Sequence, residues 1–144
     1  MLNPDIRKSS LNELLFDLLY STMKEDLYPN RVKAFAKRLL QNASHAQPPF
    51  VISTLLLISR LIPDQPLLKV TQVKLGLKES AEEKLEIEEV TDGRSKGYDP
   101  LKREPLYSNA LNTEFWELTI LSRHYHPTVR AMTEQLLAGK TITY

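Results

Sequence analysis

The chain has 144 residues, no cysteine, 19 Lys plus Arg against 18 Asp plus Glu, and 42% hydrophobic residues. That size and apolar content suit a single domain with a core and argue against wholesale disorder. Zero cysteine rules out disulfides, thiolate zinc sites, iron–sulfur clusters and a cysteine nucleophile, and it fits a reducing compartment. The net charge of +1 argues against a strongly basic nucleic-acid module.

The balance conceals unequal segments. Residues 1–66 carry eight basic and six acidic side chains, residues 79–92 carry seven acids against Lys84, and residues 98–144 carry five of each. Met1 to Ser10 lacks the apolar run of a secretory signal.

Ser10-Leu11-Asn12-Glu13 has the form of a capping box, and Leu11, Leu14, Leu15, Leu18 and Leu19 follow at helical spacing. The pattern predicts an amphipathic helix over about 11–23. A turn over Asp26–Pro29 follows, with Asn30 as N-cap of a second helix. That helix carries Val32, Phe35, Ala36, Leu39, Leu40 and Ala43 on one side and Arg31, Lys33, Lys37 and Arg38 on the other. Pro48-Pro49 opens a third helix and Ile62-Pro63 closes it. Its Phe50–Ile62 run is too short to span a bilayer and is interrupted by Ser53, Ser59 and Arg60, so it reads as a buried helix.

Residues 64–97 lack a sustained period and hold the acidic run and the hydrophilic stretch Asp92–Gly97. They read as a linker, ordered in part at most. Irregular chain follows from Tyr98, punctuated by Asp99-Pro100 and Glu104-Pro105. Asn112 or Thr113 is the expected cap of a fourth helix with a broad buried face that includes Phe115, Trp116, Leu118, Thr119 and Leu121–Ser122. His126-Pro127 starts a fifth, with Val129, Met132, Thr133, Leu136 and Leu137 as its stripe and Gly139 at its C′ position. No region repeats with period two. The expected fold class is all-α, a segment of a helical-repeat (HEAT-like) solenoid. Its parts are three helices over 1–63, the linker over 64–97 and two helices over 98–144. Five helices form too few layers to cap both ends.

Catalytic chemistry finds little support. The four glycines, at 76, 93, 97 and 139, form no phosphate loop or nucleophile elbow. His124-Tyr125-His126 lacks a third metal ligand at a suitable offset. It reads as a helix junction, with His126 capping the next helix and His124 facing the last turn's carbonyls. The Glu79–Glu89 carboxylates read as a solvated charge run. No cofactor site is expected. Arg31, Lys33, Lys37 and Arg38 form a stripe able to neutralise phosphates or meet a partner, although a plainly solvated face is the simpler reading. Trp116, the single tryptophan, is expected in the core rather than as a platform for base stacking.

Three blocks resemble the CCAAT-binding-factor / nucleolar-complex family. They are Arg31-Val-Lys-Ala-Phe-Ala-Lys-Arg-Leu-Leu-Gln41 with Pro48-Pro49-Phe50 and the Leu55–Leu61 run, Tyr98-Asp-Pro-Leu-Lys-Arg-Glu-Pro-Leu-Tyr-Ser-Asn-Ala110, and Phe115-Trp-Glu-Leu-Thr-Ile-Leu-Ser-Arg-His-Tyr-His-Pro127. The resemblance covers about 13–63 and 98–144, and the acidic 64–97 matches a variable insertion between the blocks. The first block is similar to the branch of the first nucleolar-complex subunit. The resemblance implies a non-enzymatic, nucleolar scaffold for early large-subunit (pre-60S) ribosome assembly and rRNA processing. Implied partners are a second nucleolar-complex protein, pre-ribosomal particles and pre-ribosomal RNA, with no membrane and no small-molecule substrate. The alternatives are a CCAAT-type transcriptional co-regulator, for which no DNA-reading motif is present, and a repeat segment that binds only proteins. Of the residues carrying the resemblance, Tyr98, Asp99, Pro100, Arg103, Pro105, Leu106, Trp116, Glu117, His126 and Pro127 are expected to be structural. Family members are much longer, so the chain resembles a fragment. Uncovered apolar faces at both ends then predict low stability or self-association.

Overall fold

The computed structural model describes residues 12–69 and 97–142, and the Ser10 capping box, Leu11 and the acidic run lie outside the described residues. The described residues are helical, with no strand among them. The helices are α1 (Asn12–Glu25), α2 (Pro29–Ala43), α3 (Pro48–Leu61), α4 (Glu117–Leu121) and α5 (Pro127–Leu137). Single 3₁₀ turns occupy Pro66–Leu68, Pro105–Tyr107 and Ala110–Asn112.

Proline sets three of the helix starts. Pro29, Pro48 and Pro127 each stand at the first helical position, where their missing N–H leaves no hydrogen bond unmade. Helix α2 therefore starts before Asn30, which is not its N-cap. The turn ahead of it is held by Asp26, whose Oδ1 accepts the Tyr28 N–H at 2.8 Å. Helix α5 ends as its glycine predicts. Gly139 adopts φ +70°, its N–H reaches the Leu136 carbonyl at 2.9 Å, and the Lys140 N–H reaches that of Gln135 at 3.0 Å, the paired bonds of a Schellman motif.

Helix α3 is the centre. It packs on α1, α2 and α5, while α2 also packs on α4 and on the 3₁₀ turns. Helices α1 and α5 thus both pack on α3, and α4 packs on both α2 and α5. The core runs through both halves of the chain, joining Met23, Leu40, Val51, Leu55 and Ile58 to Leu118, Leu121, Val129 and Leu136.

Two expectations need correction here. Helix α1 does not bury its whole leucine stripe. Phe16, Leu19, Tyr20 and Met23 pack inward, with the Phe16 and Phe50 rings 5.2 Å apart, whereas Leu14 and Leu18 are each 65% exposed. The stripe is wider than the one helix available to cover it. The fourth helix does not begin at Asn112 or Thr113. Residues 110–112 form a 3₁₀ turn after left-handed Asn109, and α4 starts at Glu117. Its inward residues are Phe115, Leu118 and Leu121, and Trp116 remains 50% exposed. Residues 64–69 of the expected linker are packed, which its partial order allows. Leu68 is fully buried, and the Gln65 amide donates to the Asp26 carbonyl at 3.2 Å. The remainder of that linker, 70–96, lies outside the described residues.

Candidate functional site

The four α2 cations point at other parts of the same chain. Arg31 forks onto Asp26, Nε to Oδ2 at 2.7 Å and Nη2 to Oδ1 at 2.8 Å, and lies over the Tyr28 ring. The Arg31 hydrogen bonds hold the Asp26 carboxyl below its ordinary value of 3.8, against the opposing pull of burial. Lys33 donates to the Leu111 carbonyl at 3.1 Å. Burial, followed by repulsion from Lys37, lowers its pKa.

Lys37 is the centre of the arrangement. Its Nζ lies 3.0 Å from Glu117 Oε1 and 3.1 Å from Oε2, and it donates to the Glu114 carbonyl at 2.8 Å. Both side chains are fully buried. The ammonium also sits 5.2 Å from the centre of the Tyr98 ring and 5.4 Å from that of Trp116, where aromatic faces favour a cation. Gln41 Nε2 completes the carboxylate's partners at 3.1 Å from Oε1. Arg38, 6% exposed, donates from Nη2 to the Lys102 carbonyl. Burial pushes the Tyr98 phenol up, and the adjacent Arg38 guanidinium holds it back.

Neither a plainly solvated face nor a solvent-facing stripe describes these cations. Helical spacing put them on one side of α2, but it did not reveal that residues 102–117 would cover that side. Each lysine spans apolar surface with its methylene stem and delivers its charge to a carbonyl or carboxylate. The result is a joint that fastens residues 102–117 onto α2.

The motif residues distribute around this joint. Tyr98 and Glu117 belong to it, and Trp116 overlies it. Asp99 closes the approach by accepting the Leu101 N–H on Oδ1 at 2.9 Å and donating its own N–H to Ser108 at 2.9 Å. Pro105 starts a 3₁₀ turn that packs on α2, with Leu106 half-buried, whereas Pro100 and Arg103 are exposed. Pro127 opens α5. His126 occupies the N-cap position without a side-chain capping bond. Instead, His124 Nδ1 accepts the His126 N–H at 3.1 Å, and burial followed by the His126 charge lowers the His124 pKa.

Gln41 and Ser59 were missed. Ser59, inside the apolar α3 run, is buried and accepts the Ile142 N–H at 2.8 Å, tying down the tail. A polar residue inside an apolar run was the available signal for Ser59. Among the described residues no group of three His, Asp or Glu side chains is placed to hold a metal, and no helix is long and apolar enough to cross a membrane. A cleft of about 280 Å³ between α1 and α3 is lined by Phe16, Tyr20, Leu56 and Arg60, among others.

Helices packed around α3, with a buried ion pair joining α2 to α4, define an all-α packing module. The chain belongs to the CBF/Mak21 family, whose pattern matches residues 1–133. It is 29% identical over 192 aligned positions to CCAAT/enhancer-binding protein zeta of Mus musculus, covering all of this chain and 18% of that protein. It is 34% identical over 154 positions to Ribosome biogenesis protein NOC1 of Chaetomium thermophilum, covering 96% of this chain and 15% of that protein. Nucleolar complex protein 3 of Drosophila melanogaster is 32% identical over 120 positions, which cover 83% of this chain and 13% of the fly protein. The chain therefore spans less than a fifth of the length of these relatives.

Proposed function

We propose that the chain is a non-catalytic scaffold module acting in early large-subunit ribosome biogenesis in the nucleolus. The observation that carries this reading is membership of the CBF/Mak21 family over residues 1–133, shared with relatives named for ribosome biogenesis and nucleolar complexes. The packing supports it physically. Helices α1 and α5 both pack on α3, and α4 on α2 and α5, contacts of the kind that a helical-repeat array would extend. In this reading the module divides into helices before and after an insertion, and the joint at Lys37–Glu117 aligns the two parts. Its partners are a second nucleolar-complex protein and pre-ribosomal particles. Pre-ribosomal RNA would meet cations that remain exposed, such as Lys102, Arg103, Arg123 and Arg130.

Depletion of the protein that carries this chain tests the reading. The expected result is accumulation of unprocessed large-subunit RNA precursors, reversed by the wild-type protein. Normal precursor processing after depletion would sink it. A second reading, a role at CCAAT promoters, is favoured by the name of the mouse relative. Co-purification with promoter chromatin rather than pre-ribosomal RNA would select it. Replacing Arg31, Lys33, Lys37 and Arg38 by Gln separates the uses of the α2 cations. Loss of folding is the outcome for an internal joint, and loss of RNA crosslinking with folding intact is the outcome for a phosphate contact.

A further inference from the structure

Two exposed apolar faces lie on helices with different neighbours, α1 on α3 and α4 on α2 and α5. On α1, Leu14 and Leu18 stand one turn apart and 65% exposed, among exposed Glu13, Asp17, Lys24 and Glu25, three carboxylates against one cation. On α4 and the turn after it, Trp116 at 50% and Ile120 at 52% exposed are followed one turn later by exposed Arg123. Among the described residues none of Asp17, Glu25 and Arg123 is in an ion pair.

The two faces complement each other. One offers leucines beside carboxylates. The other offers a tryptophan, an isoleucine and a guanidinium, with Trp and Arg the side chains most often found anchoring interfaces. Pairing like with like would set acids against acids or arginine against arginine, which disfavours a two-fold dimer. Helix α4 already has α2 and α5 as neighbours, so an added helix on its open face would continue packing that the chain itself begins.

We propose that the outer face of α1 from one copy docks on the Trp116–Ile120–Arg123 face of a second copy, head to tail. Such a contact is heterologous. Each added copy leaves one free face of each kind, so mass grows with concentration instead of stopping at a dimer. The inference is independent of the biogenesis reading.

The single tryptophan reports on the contact. Sedimentation of the full chain is expected to show average mass rising beyond a dimer with concentration, while Trp116 emission shifts to the blue as the indole leaves water. Leu18→Glu and Ile120→Glu each block one face at an exposed position and leave the core alone. Each variant alone is expected to be monomeric, with association weakened about thirtyfold or more. Their equimolar mixture is expected to form a dimer and nothing larger, because one competent face of each kind remains. A wild-type chain that stays monomeric with unshifted emission overturns the proposal, as does a mixture that fails to dimerise. Quenching of Trp116 by single-stranded RNA, with no rise in mass in its absence, overturns it in favour of a nucleic-acid surface.

Discussion

The α2 joint and the α3 stack hold the same molecule together by opposite means. Around α3, leucines, valines and aromatics meet one another, and the stabilisation follows buried apolar area, which carries no direction. Along α2, three cations reach across to carbonyls of Leu111, Glu114 and Lys102 and to the Glu117 carboxylate. Each of those bonds has one acceptable geometry. The apolar stack supplies cohesion, whereas the polar joint decides where residues 98–121 sit on α2. That division sets the register of residues 98–121 by directional contacts between groups 64 to 80 residues apart in sequence.

The largest expected effect tests the joint. Lys37→Met leaves Glu117 charged and buried, and should cost about 3–5 kcal/mol. Glu117→Met should cost a similar amount by stranding the ammonium. The double replacement should recover much of the loss, because a buried pair exchanged for apolar side chains of similar volume is often close to neutral. Urea unfolding of the four proteins checks this, and additive losses would show that the two side chains do not act as a pair.

A smaller effect tests the stack. Leu55→Ala, at a fully buried α3 position, should cost about 3 kcal/mol through lost transfer energy and the cavity left behind. Unlike the joint variants, it should have no compensating partner at Glu117, so Leu55→Ala combined with Glu117→Met should be additive within a few tenths of a kcal/mol. Strong coupling would dissolve the distinction between cohesion and register.

The smallest effect lies at the entrance to α2. The Asp26 pKa is depressed in the folded chain, so the unfolded state binds more protons as the carboxylate titrates. The stabilisation is present above about pH 4, the unfolded value, and is lost as pH falls through the lower folded value. Asp26→Asn should therefore lower the urea midpoint at neutral pH and lose that deficit in acid. A deficit independent of pH would assign the effect to the Tyr28 N–H bond instead of the charge.

Much of the fold was legible because its signals are local. Prolines at 48 and 127 start helices, Gly139 ends one, and the α2 and α3 stripes bury as spaced, whereas Pro29, read as part of a turn, opens α2. The stripe of α1 misled because spacing gives the direction of an apolar face without saying how many neighbours will cover it. Trp116 misled for a related reason: it lies next to Phe115 just ahead of α4, and of the two only Phe115 is buried. The start of α4 was lost in two 3₁₀ turns and a left-handed Asn109, where no periodicity exists to read.

The candidate site divides in the same way. That α2 carries Arg31, Lys33, Lys37 and Arg38 on one side follows from a period of 3.6 residues. That the resemblance points to one family follows from blocks of residues along the chain, and the match over residues 1–133 agrees with it. By itself, then, the sequence determined the helical class, the helix starts at Pro48 and Pro127, and the family. Only tertiary structure decided what the cations do. Lys37 and Glu117 are eighty residues apart, and nothing local ties them. A charge is satisfied by whichever opposite group lies within a few ångströms, and that distance is set by how helices pack.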